Sequence, residues 1–502
     1  MKYLNNKLLD NKKYYVLVYV IFIILFSASL FNLNNYSNFN FELCILLVLL
    51  MAGIFILLYF TEIELYKSCF IIILIFGLVM TFTTPILIVC DEGEHFARSE
   101  LTSQGILNPE YVNNGYKVTH LFDQLFNNSG GTLTTTNLVN EKIDSSSSFY
   151  GSCFAHNPFY AYLISAFGIF LAKLFNLGVM WAMWLGRFLN LLFYAVVCSY
   201  AVKKAPIYKI PLFIVACIPL SIYQAASFSA DCFIISVSIF SIAQFIYLYK
   251  SSKVNVKDLS VFFICVLLIS LFKFPYVLFG FFIFLINKDK FDSKNIFLLS
   301  RIVPFRLIGN CLVYTSYASG LLLNSIRRDY FLANNINPSS QFNNLLNNPL
   351  DTVLLFTSSF SFIVEMIFDL FRFSHASWTY ESSLLSILFL IFFSIISIIY
   401  DEDHSSFKMK DRLFFLIIIF LIYIGIIIIQ YLSWAPVGYG RLDMGIGVYS
   451  RYYIPLLALF PIVFKSGRLS SITNINNYDM KVTLCTIIFL AGSIIFTVAT
   501  FY

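Results

Sequence analysis

Apolar runs of roughly membrane length, separated by short polar or basic stretches, set the pattern of this chain from end to end. Residues about 14–31, 42–60 and 68–90 are almost unbroken Ile, Leu, Phe and Val, each close to the ~20 residues that cross a hydrocarbon core of roughly 30 Å at about 1.5 Å per residue. Further runs follow at about 183–202, 210–228, 261–286, 303–323, 382–400, 413–432, 453–464 and 483–500. Two stretches are less simple. Residues 158–176 are apolar but can either span or lie along the interface, and 351–371 carries Ser358, Ser359, Glu365 and Asp369, which suits an external or re-entrant segment. Between 91 and 157 the chain is polar, a loop long enough to be either functional or disordered. The pattern predicts an all-α polytopic membrane protein with about 11–13 membrane helices or half-helices. It divides into an amino-terminal hairpin (1–67), a core (68–470) that includes loop 91–157, and a last helix (471–502).

Composition agrees: 59% of residues are hydrophobic, 12% are charged, and there are 57 Phe and 32 Tyr. The ten cysteines show no C-x-x-C and no zinc spacing. Cys90 and Cys153 flank the same polar segment and could pair in an oxidising compartment.

Charge orients the spans. Lys2, Lys7, Lys12 and Lys13 place the amino terminus in the cytoplasm by the positive-inside rule. The first run lacks an A-x-A cleavage pattern and reads as a retained span. If 158–176 crossed, eleven basic residues (Lys203, Lys204, Lys209, Lys250, Lys253, Lys257, Lys288, Lys290, Lys294, Arg301 and Arg306) would face outside, so an interfacial or re-entrant segment is expected there. Loop 91–157, Asp231 and the loop 433–451 then share the extracytoplasmic side.

The candidate chemistry collects on that side. Asp91, Glu92, Glu94, His95 and Arg98 follow directly on an apolar run, and helix formers from Glu92 to Gly105 predict a short helix with Asp91, Glu94, His95 and Arg98 on one face. A solvated acidic helix face is the alternative. Lys273-Phe-Pro275 interrupts the run 261–286. A lysine at bilayer depth costs about 2.5–3.5 kcal/mol on insertion scales and proline removes a helix hydrogen bond, so two half-helices with Lys273 at their tip, or a kinked span, are expected. Signatures of nucleotide-driven pumps, zinc proteases and serine hydrolases are missing. Carboxylates beside membrane-embedded cations suit a reaction on a lipid phosphate: a carboxylate takes a proton from a hydroxyl while Lys and Arg neutralise the leaving phosphate.

Asp91-Glu92-x-x-His95, His156-Asn-Pro158, Leu185-Gly-Arg187-Phe-Leu-Asn190, Gln224-Ala-Ala-Ser227-x-Ser-Ala-Asp231, Leu271-x-Lys273-x-Pro275-Tyr276 and Tyr449-Ser-Arg451-Tyr452-Tyr-Ile-Pro455 occur in that order over roughly residues 70–470. Together they resemble a family of bacterial polytopic membrane proteins of unknown function related to the C-type (GT-C) glycosyltransferases. The resemblance implies a GT-C-like fold and an inverting transfer of sugar from a polyprenyl-phosphate donor to a cell-envelope glycan or lipid-linked acceptor. Asp91 matches the base. Glu92 and His95 are further catalytic candidates, and Arg98, His156, Asp231, Lys273, Arg441, Arg451 and Tyr452 are candidates for binding substrate. The extra hairpin ahead of Asp91 and Tyr449-Ser450 before Arg451 depart from the pattern. No cofactor is assigned, the metal requirement is open with a divalent cation as one option, and nucleic acid is not an expected partner. A transporter or flippase of lipid-linked sugars and a non-catalytic membrane subunit are the other function classes.

The topology is directly testable. In a background without native cysteines, single cysteines at Ser145 and Tyr439 should label from outside, and those at Ser252 and Lys408 only after permeabilisation. Outside labelling at Ser252 would mean that 158–176 crosses the membrane.

Overall fold

The computed structural model describes residues 2–31, 36–60, 63–323, 334–358, 360–370, 380–399, 407–440, 442, 447–465 and 478–502. Among these, eight helices are long and apolar enough to cross a membrane: Lys12–Leu30, Asn40–Tyr59, Leu65–Thr83, Val179–Lys204, Asp231–Lys250, Lys294–Ala318, Met409–Trp434 and Met480–Phe501. A ninth forms if Pro349–Thr357 and Phe362–Leu370, bent by 43°, count as one span. The only named sheet among the described residues has two strands, so the protein is an all-α polytopic membrane protein.

Several apolar runs that look like spans in sequence resolve into shorter pieces, each for a local reason. The third helix ends at Thr83 because Pro85 cannot continue it, and the chain turns through 84–90 to reach Asp91. Residues 210–228 do not form one span: Lys209–Ala216 and Pro219–Ala225 are separate buried helices, with Pro219 starting the second. Pro455 and Pro461 likewise divide 453–464 into Ile454–Leu457 and Phe460–Phe464. Residues 158–176 become a 3-10 turn and the 12-residue helix Leu163–Leu174. At about 1.5 Å per residue that helix is roughly 18 Å long, well short of a bilayer.

The break at Lys273 is the most informative. Helix Val256–Phe272 stops at Lys273, whose backbone is extended (φ −128°, ψ 94°), and Phe274–Leu285 continues as a 3-10 helix. The two arms rejoin at their far ends, where Val254 N–H donates to Lys290 O at 2.7 Å and Val254 bridges Phe291. The segment is thus a hairpin with Lys273 at its tip.

Loop 91–157 is an ordered cap. Helix Glu92–Ser103 leads to the antiparallel pair Tyr116–Thr119 and Ser147–Tyr150, with helix His120–Phe126 between them. Its core, including Phe96, Leu101, Tyr116, Leu121, Phe122 and Leu125, merges with Met183 and Trp184 of helix Val179–Lys204. The cap thereby rests on the membrane core.

Helices Leu163–Leu174 and Val179–Lys204 approach until Gly168 faces Gly186, and a Cβ at Gly168 would lie 2.5 Å from Gly186 N. Gly168→Ala should therefore lower stability by about 1–3 kcal/mol through overpacking. Gly309→Ala, inside helix Lys294–Leu323 where nothing lies within 4 Å of the new Cβ, should instead raise it by about 0.4–1 kcal/mol. Thermal unfolding of both variants in detergent measures the contrast.

Candidate functional site

The site begins with the turn that ends the third helix. Asp91 adopts a left-handed conformation (φ 64°, ψ 10°), uncommon for a residue other than Gly, Asn or Asp. The turn sets Asp91 at the entrance of helix Glu92–Ser103, and a buried ion pair holds it there. Glu92 receives two hydrogen bonds from Arg187, Nε to Oε1 at 2.8 Å and Nη2 to Oε2 at 2.7 Å, with both side chains fully buried. Arg187 also donates to the carbonyls of Thr81, Thr84 and Pro85, and Phe228 N–H donates to Glu92. Glu92 is thus turned into the protein and is not among the side chains that line the cavity described next.

That cavity, of about 410 Å³, is lined by Asp91, Glu94, His95, Asp231, Lys273, Arg451 and Tyr452, together with Cys153, Asn157, Gln430, Trp434 and Tyr449. Arg451 sits between the acids: Nη2 bonds Asp91 Oδ2, and Nε lies 2.7 Å from Asp231 Oδ2 in an ion contact whose N–H is not aligned for a hydrogen bond. The Tyr449 ring packs against the guanidinium with its centroid at 4.5 Å, and the Lys273 ammonium stands 3.2 Å from the centroid of Tyr452. Ser450, next to Arg451, donates to Asp369. Two carboxylates and two cations from four distant parts of the chain thus converge on one cavity.

Burial pushes the Asp91 carboxyl up, but the positive charge of Arg451 and the neighbouring His95 more than offset this, so its pKa falls below the ordinary carboxylate value. His95 is buried against Phe154 and shares a 2.9 Å hydrogen bond with Tyr162 Oη through Nδ1. Burial lowers its pKa to about 4 although Asp231 and Asp91 pull the other way. At neutral pH the site therefore pairs an ionised Asp91 with a neutral His95.

The remaining candidates separate by location. Arg98 is buried and donates to the carbonyls of Asn157, Ile106 and Leu107, which ties the start of the cap to its end. His156 packs edge-on to Tyr116 at 5.4 Å and faces a different cavity. Arg441 lies outside the described residues. Glu94 lines the cavity while receiving bonds from Tyr150 Oη, Ser152 Oγ and Cys153 N, so it anchors the cap's return strand. Cys90 and Cys153 are not joined to each other by a disulfide. Among the described residues, no group of three His, Cys, Asp or Glu side chains is placed to hold a metal ion. Trp434, Gln430 and Tyr162 are aromatic or neutral residues in or beside apolar runs that nothing in their local sequence marks, whereas Tyr449 stands in the motif Tyr449-Ser-Arg451.

A second, largely apolar cavity of about 720 Å³ adjoins the first and shares Lys273, Phe272, Asn157, Ile429 and Gln430 with it. It continues past Leu271, Phe274, Pro275, Leu312 and Ile426, between helices Lys294–Ala318 and Met409–Trp434 and the Lys273 hairpin. Lys273 stands where the polar cavity gives way to the apolar one.

Residues 74–460 match the model of a family described as Predicted membrane protein (DUF2142). No curated protein and no solved structure matches the chain.

The Arg187–Glu92 pair predicts an asymmetry. Arg187→Met leaves a buried carboxylate without its partner and should cost about 3–5 kcal/mol, whereas Arg187→Met combined with Glu92→Met should recover much of that loss. Equal thermal-unfolding midpoints for the single and double variants would mean that the pair does not organise the site.

Proposed function

The chain belongs to the DUF2142 family of predicted membrane proteins, and from that premise we propose that it is an inverting membrane glycosyltransferase acting on the extracytoplasmic face. Its donor is a sugar linked to a polyprenyl phosphate, and its acceptor is a hydroxyl of a cell-envelope glycan or lipid-linked glycoconjugate. The observation that carries this reading is the junction at Lys273, where a cavity bearing Asp91, Asp231 and Arg451 opens into an apolar groove between membrane helices. A ligand with a charged phosphate head, a polar sugar and a long hydrocarbon tail matches that sequence of environments.

In the proposed reaction the acceptor hydroxyl oxygen attacks the anomeric carbon from the face opposite the phosphate. The new C–O bond forms as the bond from the anomeric carbon to the phosphate oxygen breaks, and the electron pair leaves with the lipid phosphate. Asp91, held as a carboxylate by Arg451, takes the hydroxyl proton. Lys273 and Arg451 face the negative charge that develops on the phosphate. A guanidinium has five N–H donors, so Arg451 retains capacity for phosphate beyond its contacts with Asp91 and Asp231. His95, neutral and bonded to Tyr162, positions the acceptor. Glu92 acts through Arg187 by fixing the turn that carries Asp91.

A flippase of lipid-linked sugars is the second reading. The hairpin broken at Lys273 favours it, since discontinuous membrane segments surround substrate in transporters.

Asp91→Asn tests the base, and sugar transfer by the parent protein separates the two readings. Proton transfer of this kind is worth about 10² to 10⁴ in rate, so the variant should lose at least that factor in sugar transfer while still binding polyprenyl phosphate. Arg451→Lys should recover only part of what Arg451→Ala loses, because the planar fork is missing. Radiolabelled transfer by purified protein in liposomes reads both. A near-normal rate for Asp91→Asn would remove Asp91 as the base, whereas a parent protein that transfers no sugar but moves lipid-linked sugar across the bilayer would replace the transferase with the flippase.

A further inference from the structure

A third cavity, about 660 Å³, lies on the opposite side of the last turn of helix Met409–Trp434 from the Asp91 cavity. Gln430, Ser433 and Trp434 of that turn line the Asp91 cavity, while Tyr431 lines this one. The other wall comes from helices Pro338–Asn347 and Pro349–Ser358, which meet at Asn348 and present Asn344, Asn348, Asp351, Thr352 and Thr357. The rim is Gly438-Tyr439-Gly440.

This rim is held in place. Gly438, with φ 80°, donates its N–H to Gln341 Oε1 at 2.8 Å, Val437 N–H donates to Asn335 O at 2.9 Å, and Tyr431 Oη donates to Tyr439 O. A loop tied to both walls does not have to be ordered when ligand arrives, which removes part of the entropic cost of binding. The volume falls within the ~300–1,000 Å³ usual for small-ligand sites.

The lining selects the ligand. Among the described residues it contains no Lys or Arg, and its one charged group is Asp351, so a phosphate or other anion finds no counter-charge. Leu345, Leu354 and Leu355 share the lining with these polar groups, so the wall is mixed. Asn348 Nδ2 donates to Asn344 O and Oδ1 at 3.1 and 3.0 Å, which leaves the Asn348 amide oxygen and the Asn344 amide nitrogen for a ligand that both donates and accepts. Asp351 is exposed and adds acceptors. Convergent amides, one carboxylate and two tyrosines suit an uncharged molecule dense in hydroxyl groups.

We propose that this cavity binds a neutral oligosaccharide, the segment of the acceptor glycan behind its reacting end. The assignment to an acceptor rests on the transferase reading, whereas the binding itself does not. The layout fits a chain molecule, because a glycan that offers its terminal hydroxyl to Asp91 can pass the end of helix Met409–Trp434 and lay its following sugars against Asn344 and Asn348.

The test uses the purified full chain in nanodiscs, with chitotetraose, maltotetraose and mannotetraose as probes, read by isothermal titration and saturation-transfer NMR. At least one probe should bind. Asn348→Leu should weaken that binding at least tenfold, and Asn348→Gln, which keeps an amide, should stay within about threefold. Size exclusion and the unfolding midpoint establish that Asn348→Leu is folded, as is expected for an exposed position. The inference is overturned if no probe binds folded protein, if Asn348→Leu binds as the parent does, or if inorganic phosphate or phosphatidylglycerol displaces the sugar. Oligosaccharide binding without any sugar transfer would remove the transferase and keep the site. Transfer that Asn348→Leu leaves intact at limiting acceptor would remove the site and keep the transferase.

Discussion

A carboxylate and a guanidinium that are both out of reach of solvent must be satisfied together or not at all, and the arrangement of this protein follows from one such pair, Arg187 and Glu92. Arg187 rises from a largely apolar helix and reaches Glu92 and the carbonyls of Thr81, Thr84 and Pro85. It thereby closes the end of one membrane helix and the start of the cap helix around a single cation. The peptide of Phe228, three residues before Asp231, is tied to the same carboxylate. Two acids that face each other across Arg451 are thus fixed by a third acid that faces away. The desolvation of such a pair offsets much of its attraction, so its consequence is geometric: it selects one position for the turn at Asp91.

The general architecture was legible because a membrane helix announces itself by length and hydropathy. The break at Lys273 followed from residues whose cost in lipid is large, the short helix after Asp91 from a run of helix formers, and the reading of 158–176 from the basic residues that come after it; the helix there, Phe159–Leu174, is shorter than a span. The divided runs 209–225 and 454–464 were harder to read. They are buried inside the protein, where an apolar composition is equally at home, and only Pro219, Pro455 and Pro461 mark the divisions.

The site was partly legible for a related reason. Asp91, Asp231, Lys273 and Arg451 are charges in apolar surroundings and stand out on that ground, and the fold brings all four to one cavity. Glu92 and Arg98 stood out equally, yet each is consumed within the protein, by Arg187 and by three carbonyls. Sequence identifies a costly charge but not whether its partner is protein or ligand. The aromatic residues around the cavity carry no such cost: Trp434 leaves no trace in an aromatic-rich chain, and Tyr449 shows only through the motif that carries Arg451.

The amino-terminal hairpin has a different kind of consequence. Helices Lys12–Leu30 and Asn40–Tyr59 pack on each other and on Met480–Phe501, with Phe41 stacked on Tyr502, and both partners lie outside the matched range 74–460. The hairpin is therefore made long before its main partner. At about 5–20 residues per second, the ribosome needs roughly 20 to 80 s to reach the last helix, and for that interval only lipid covers the face that will be buried. A helix can wait in this way because its backbone bonds are all internal. The contact between this hairpin and helix Met480–Phe501 thus forms only after the core between them has been made, and any factor that retains or releases the waiting hairpin would control that step.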